Sequence, residues 1–224
     1  MVKKYKIYQV DSFTKSVFHG NSAGVVLNAD GLSDSQMQQI ARELNNSETA
    51  FIFTSDSPEY DIEVRFFTPT TEVPICGHAT IAAHYVRAME NKIISGRVIQ
   101  KTKSGILPVD IICEGDDISI VMTQGKPFVG KDLGENLRQR IARGLNIKLN
   151  DICKEYPVAI ASTGHSKVMI PLRSIEILNS LKPNEALLTE ISKEIGCNGF
   201  YTFTLGPNEE VLVNGRMFAP AIGI

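Results

Sequence analysis

No run of 18 apolar residues occurs in the sequence, so no segment is expected to span a membrane. No block of five or six like charges occurs either. With 23 basic against 25 acidic residues the net charge is −2. That balance excludes nucleic acid and anionic membrane as expected partners, because such binding rests on a basic surface that neutralises phosphates. The start, Met1-Val2-Lys3-Lys4-Tyr5, is followed by alternating residues and not by an apolar core, so no secretory leader is expected. Cysteine is sparse: Cys76, Cys113, Cys153 and Cys197 form no CxxC pair. Neither a structural zinc site nor a dithiol motif is supported, and free thiols in a cytoplasmic protein are the expectation. There is no G-x-G-x-x-G, P-loop, H-E-x-x-H or G-x-S-x-G. Motif evidence for a nucleotide, a metal or a serine hydrolase is therefore absent.

What is present is an ordinary globular composition: 224 residues, 43% apolar and 21% charged. That length allows one large domain or two small ones. Strands are predicted over 5–10, where sides alternate, and over the apolar run 25–27, with a Gly/Asn/Ser turn over 20–24 between them. Ser33 with Gln36 three residues on is a capping box. Met37, Ile40, Ala41 and Leu44 then form one apolar helical stripe. Strands follow over 49–53 and 60–67, the second alternating Tyr60, Ile62, Val64 and Phe66 with polar residues. A loop over 68–77 leads to a helix over 78–91 with little polar face. A helix apolar nearly all round is surrounded by protein, so a curved sheet around a central helix is the simplest architecture. Further strands are predicted over 94–103, 107–113 and 117–123. Gly125-Lys126-Pro127 reads as a boundary. Beyond it come helices over 134–145 and 184–195, and strands over 156–162, 167–171, 200–205 and 210–218. The class is α+β, in two halves, 1–124 and 125–224.

One internal echo supports the two halves. Arg65-Phe66-Phe67-Thr68-Pro69 and Arg216-Met217-Phe218-Ala219-Pro220 share R-x-F-[T/A]-P. In the first half Gly77-His78 follows shortly after. The second half is expected to be incomplete, without its loop and central helix, since Ile224 lies four residues after Pro220.

Two segments carry candidate chemistry. Glu48, in Asn46-Ser47-Glu48-Thr49-Ala50, sits where an amphipathic helix gives way to an apolar strand. A carboxyl partly desolvated at such a junction can serve proton transfer; the alternative is a solvated loop glutamate. Cys76-Gly77-His78-Ala79-Thr80 opens the apolar helix. A helix N-terminus offers free N–H groups and the positive end of the dipole to an anion such as a carboxylate. Gly77 allows close approach, His78 adds a donor, and Cys76 is a candidate nucleophile or base. The alternative there is a tight turn with a capping histidine and a buried thiol. Asn21 is a weaker ligand candidate, since Gly-Asn is first of all turn chemistry. His19, His84 and His165 read as loop or packed residues.

In order along the chain, Val10-Asp11-Ser12-Phe13-Thr14, Phe18-His19-Gly20-Asn21, the Glu48 segment, the two R-x-F-[T/A]-P motifs and Glu72-Val73-Pro74-Ile75-Cys76-Gly77-His78-Ala79-Thr80 resemble the PhzF-like family, named for an isomerase of phenazine biosynthesis. The resemblance runs from about residue 5 to the last residue, strong over the first 90 and thin between 125 and 200. It implies the diaminopimelate-epimerase-like fold, two pseudo-symmetric halves, each a rolled, mostly antiparallel sheet around a central helix. It also implies proton shuttling without a cofactor or metal, with Glu48 as general acid/base and the Gly77-His78-Ala79 helix start, with Asn21 and Thr80, holding a small carboxylate-bearing substrate. Family members carry a D-P-x-T-G-S-A segment soon after R-x-F-A-P, and this sequence ends before it, so a truncated second half is expected. Ser22 and Ile75 stand where proline and an aromatic are common.

Three functions are expected in descending order. The first is an isomerase using Glu48. The second is a racemase or epimerase with Cys76 as one base, which needs a facing thiol that no motif around Cys113, Cys153 or Cys197 supplies. The third is a non-catalytic truncated homologue that binds a small acid or a partner chain, a homodimer included.

Overall fold

The computed structural model describes residues 4–16, 18–197, 199–206 and 211–223. They form two compact units, Met1–Gly125 and Lys126–Ile224. In the first, β1 (Ile7–Ser12), β2 (Asn21–Val26), β3 (Glu48–Thr54), β4 (Ile62–Phe67), β6 (Gly96–Thr102), β7 (Gly105–Glu114) and β8 (Asp117–Met122) pair in that order. The two-residue β5 (Glu72–Val73) adds to β4. Only β2/β3 and β4/β6 are parallel joins.

Helix α1 (Asp34–Leu44) forms because Ser33 and Gln36 satisfy each other's backbone N–H groups, and it ends at Asn45 in the left-handed region. Its Met37 and Ala41 pack on Val26, Phe51 and Phe67, one face of the sheet. The alternate residues Ala50, Ile52, Val64 and Phe66, all buried, turn to the other face. There α2 (Gly77–Asn91) packs on β1, β2, β3, β7 and β8. A sheet rolled around a central helix, as expected, is what this unit shows.

Two expectations are corrected here. Residues 20–24 are not a turn: β2 begins at Asn21, and Gly24 lies inside it, opposite Gln9. A Cβ at Gly24 would sit 2.7 Å from both Leu44 Cδ1 and Thr49 Oγ1, so this glycine serves close packing. Nor is α2 enclosed all round. Tyr85 and Met89, one turn apart, are 36% and 47% exposed. They line a groove with residues of β1 and β8, the two unpaired edges of the rolled sheet.

The second unit holds β9 (Phe128–Asp132), α3 (Glu135–Leu145), β10 (Ala159–Ser162), β11 (Lys167–Pro171), α4 (Ile175–Ser180), α5 (Glu185–Ile195), β12 (Phe200–Leu205) and β13 (Val213–Phe218). Neither β9 nor α4 was expected, and Glu210 of the expected strand 210–218 lies outside the described residues. The sheet order is β13-β12-β11-β10-β9, with β11/β12 its parallel join. Ile141, Leu145, Ile170, Leu188, Ile191 and Phe200 centre its core.

The internal echo is physical as well as textual. β1-β2-α1-β3-β4 and β10-β11-α4-α5-β12-β13 share one connectivity, with the parallel join at the same place. The Arg65 guanidinium lies 5.3 Å over the Phe67 ring, and that of Arg216 5.1 Å over Phe218. Among the described residues no helix is long and apolar enough to cross a membrane.

Candidate active site

The start of α2 differs from that of every other α-helix among the described residues. Side-chain hydrogen bonds cap α1 at Ser33, α4 at Ser174 and α5 at Asn184, each with an acid in the first turn, and Glu135 opens α3. α2 has neither: Cys76 is its N-cap without a side-chain cap bond, and no acid lies in its first turn. The positive end of its dipole is left for whatever approaches from outside the helix.

The imidazole of His78, in that first turn, is met by Glu48. This glutamate is the first residue of β3, in parallel register with Ala23. The parallel join places it in the sheet interior, only 5% exposed, and not on a solvated loop. His78, 8% exposed, brings Nε2 to 3.5 Å from Glu48 Oε2. On its other side, His78 Nδ1 lies 3.3 Å from Cys76 Sγ. Thiol, imidazole and carboxylate thus form one buried cluster. Burial holds the His78 imidazole below its usual pKa, while the Glu48 charge and the Ser22 backbone draw it back up.

Residues that the sequence reading passed over complete the setting. Ser47 Oγ is 3.2 Å from His78 Nε2, and Ser12 Oγ donates to the His78 carbonyl at 2.7 Å. Asn46 Nδ2 is buried without a hydrogen-bond partner, two residues before Glu48. Ser12 and Ser47 lie within segments singled out above, but serine is too common for its type to mark it.

The other candidates divide. Gly77 opens α2, and a Cβ there would meet only Gln124 Nε2, at 3.9 Å. Packing therefore does not demand glycine at this position. Ala79 and Thr80 are fully buried. The Thr80 hydroxyl donates to the Cys76 carbonyl at 2.7 Å, so its side chain serves the turn. Asn21 is exposed, opposite Ser12 in the β1/β2 register. His84, fully buried, bonds Gln100 Oε1 at 3.0 Å and is not among the donors of this cluster. His19 is exposed. Among the described residues, the one grouping of three His, Cys or acidic donors able to hold a metal is Glu48, Cys76 and His78, with atoms within 4.8 Å of one another.

A mostly antiparallel sheet rolled around a helix, with a second unit repeating its first four strands, defines a protein of the diaminopimelate-epimerase-like fold. Within it, the chain belongs to the phenazine biosynthesis-like (PhzC-PhzF) family, matched over residues 10–224. It is 57% identical over 225 residues to an uncharacterized isomerase of Clostridium acetobutylicum, covering 100% of this chain and 74% of that one. It is 51% identical to the uncharacterized isomerase YddE of Salmonella typhimurium, covering 99% and 73%. The crystal structure of a Bacillus anthracis phenazine biosynthesis protein of the PhzF family superposes with a TM-score of 0.81 at 31% identity, covering 96% of this chain and 72% of that one.

Proposed function

We propose that this chain is an isomerase that moves a proton on a small carboxylate-bearing molecule by general acid/base catalysis, without a cofactor, with Glu48 as the acid/base. The observation that carries the reading is the buried Glu48 carboxylate 3.5 Å from His78 Nε2 at an uncapped helix start. A substrate carboxylate accepts hydrogen bonds from the first-turn N–H groups of α2, beside Gly77, where no side chain intervenes. Glu48 then removes a proton from a carbon near that carboxylate and returns it at another position. The developing anion is stabilised by the same N–H groups and dipole, which are already oriented before reaction. His78 positions the Glu48 carboxylate, and Ser12 and Ser47 position His78. The isomerase names of the Clostridium acetobutylicum and Salmonella typhimurium relatives agree with this class of reaction.

The test is deuterium wash-in from heavy water into a panel of small amino, hydroxy and unsaturated carboxylic acids, followed by mass spectrometry. Wild type incorporates deuterium into at least one acid, and Glu48→Gln does not. Equal incorporation by both proteins sinks the reading.

One contact favours a second reading: Cys76 Sγ lies 3.3 Å from His78 Nδ1, the arrangement that activates a thiol. In that case Cys76 is a base of a racemase or epimerase. The other thiol of the first unit, Cys113, instead donates to the Ile93 carbonyl just past the far end of α2. Loss of wash-in in a folded Cys76→Ala variant, which removes the thiol without adding bulk, distinguishes this reading from the first, which predicts that wash-in persists.

A further inference from the structure

We propose that Glu48, Cys76 and His78 also form a binding site for a thiophilic divalent cation, zinc being the model, and that an ion held there takes Glu48 out of proton transfer. The binding rests on the geometry of three side chains; its inhibitory effect rests on the acid/base reading above.

A thiol, an imidazole and a carboxylate are the donor types zinc takes, and three protein ligands with one open position are its usual non-structural arrangement. Zn–S and Zn–N bonds of about 2.3 and 2.0 Å at a tetrahedral angle place the two donors about 3.5 Å apart. Cys76 Sγ and His78 Nδ1 stand 3.3 Å apart. The three side chains already offer donor atoms within 4.8 Å of one another, so side-chain adjustment alone closes them on one ion. All three sit at the starts of regular elements, two at the head of α2 and one at the head of β3.

The surroundings match a metal ligand's needs. With Nδ1 on the ion, Nε2 carries the ring proton and donates to Ser47 Oγ, 3.2 Å away. Such an outer partner fixes the tautomer and orientation of a ligating histidine. Ser12 Oγ anchors the His78 carbonyl from the opposite side. The Cys76 thiol gives up its proton on ligation. The resulting thiolate and carboxylate carry two negative charges in a buried site, and a dication balances them where an unpaired charge is costly. No clustered spacing marks these three donors in the sequence. Glu48 stands 28 residues before Cys76, and only the β2/β3 join and the fold of α2 bring them together. An ion bound here and a proton on Glu48 compete for the same carboxylate oxygens, so occupancy and catalysis exclude each other.

The test is a cobalt(II) titration of the metal-free chain without substrate. The expected result is one equivalent bound with a thiolate-to-cobalt charge-transfer band, which zinc displaces. Cys76→Ser loses the band, Cys113→Ser keeps it, and circular dichroism checks that both fold. A second readout needs no variant: zinc shifts the ring nitrogens of His78 in NMR spectra and leaves those of His19, His84 and His165 in place. No thiolate band in wild type, a band that survives in folded Cys76→Ser, or an unmoved His78 overturns the proposal. The two readings fail separately. If Glu48→Gln still exchanges protons, the acid/base reading falls while the band stands. If the band is absent, the metal site falls while wash-in continues, insensitive to zinc.

Discussion

The two units begin from one plan and differ at the face opposite their packed helices. Register aligns them residue by residue, since Phe51 pairs with Arg65 as Thr202 pairs with Arg216. Ala50 and Ile52, buried under α2 in the first unit, correspond to Tyr201 and Phe203, which are half-exposed in the second. Phe66, fully buried, corresponds to Met217, 40% exposed. Glu48 itself corresponds to Gly199, where a Cβ would lie 2.9 Å from the Phe218 carbonyl oxygen. The four-strand plan therefore makes a core without making a site. The proposed site lies where α2 covers the inner face and brings Cys76 and His78 to the head of β3.

The largest effect expected from this comparison is on stability. Phe66→Ala is expected to cost about 3–5 kcal/mol, the range for deleting a buried aromatic side chain. Its counterpart Met217→Ala is expected to cost less than about 1 kcal/mol, because its side chain is already partly in water. Urea unfolding of the two variants measures both, and equal losses would break the comparison.

The next effect is on pH. Burial depresses His84, in the middle of α2, to about 4 from its ordinary value of 6.5. The native imidazole thus stays neutral where the unfolded one is charged. As pH falls below about 6.5 the unfolded chain takes up a proton that the folded chain refuses. Stability declines down to about pH 4 and then levels, by about 3 kcal/mol in all. Unfolding midpoints of wild type and His84→Gln across pH 7 to 4 test this, with a flatter profile expected for the variant.

Two glycines sharpen the contrast between packing and site. Gly24→Ala is expected to lose about 1–3 kcal/mol, since its Cβ would meet Leu44 and Thr49. Gly77→Ala is expected to be neutral or to gain up to about 1 kcal/mol, because alanine is the better helix residue. It should still weaken carboxylate binding by about tenfold, equivalent to about 1.4 kcal/mol. Thermal unfolding beside ligand titration separates the two roles.

How much of this was legible in the sequence depends on the range of the forces involved. The capping box at Ser33, the alternation of β4 and the apolar stripe of α1 are local, and they read correctly. So did the apolar character of α2, though the groove beside Tyr85 and Met89 did not, because it depends on where the sheet stops. Gly24 misled, since glycine in a strand and glycine in a turn look alike until Leu44 and Thr49 close on it. The segments holding Glu48 and His78 were visible. Their contact was not, because it arises from a parallel join between β2 and β3 that no periodicity reports. Ser12 and Ser47 contact His78 and were invisible for the same reason.

The central claim, that carboxylate chemistry belongs to the head of α2 in the first unit, is tested most directly by an NMR titration of the chain with small aliphatic carboxylates. The account predicts saturable shifts of the Gly77, His78, Ala79 and Thr80 amides and of the His78 ring, with the β12–β13 amides still. Shifts centred elsewhere, or an unmoved α2 start at saturating carboxylate, would contradict it.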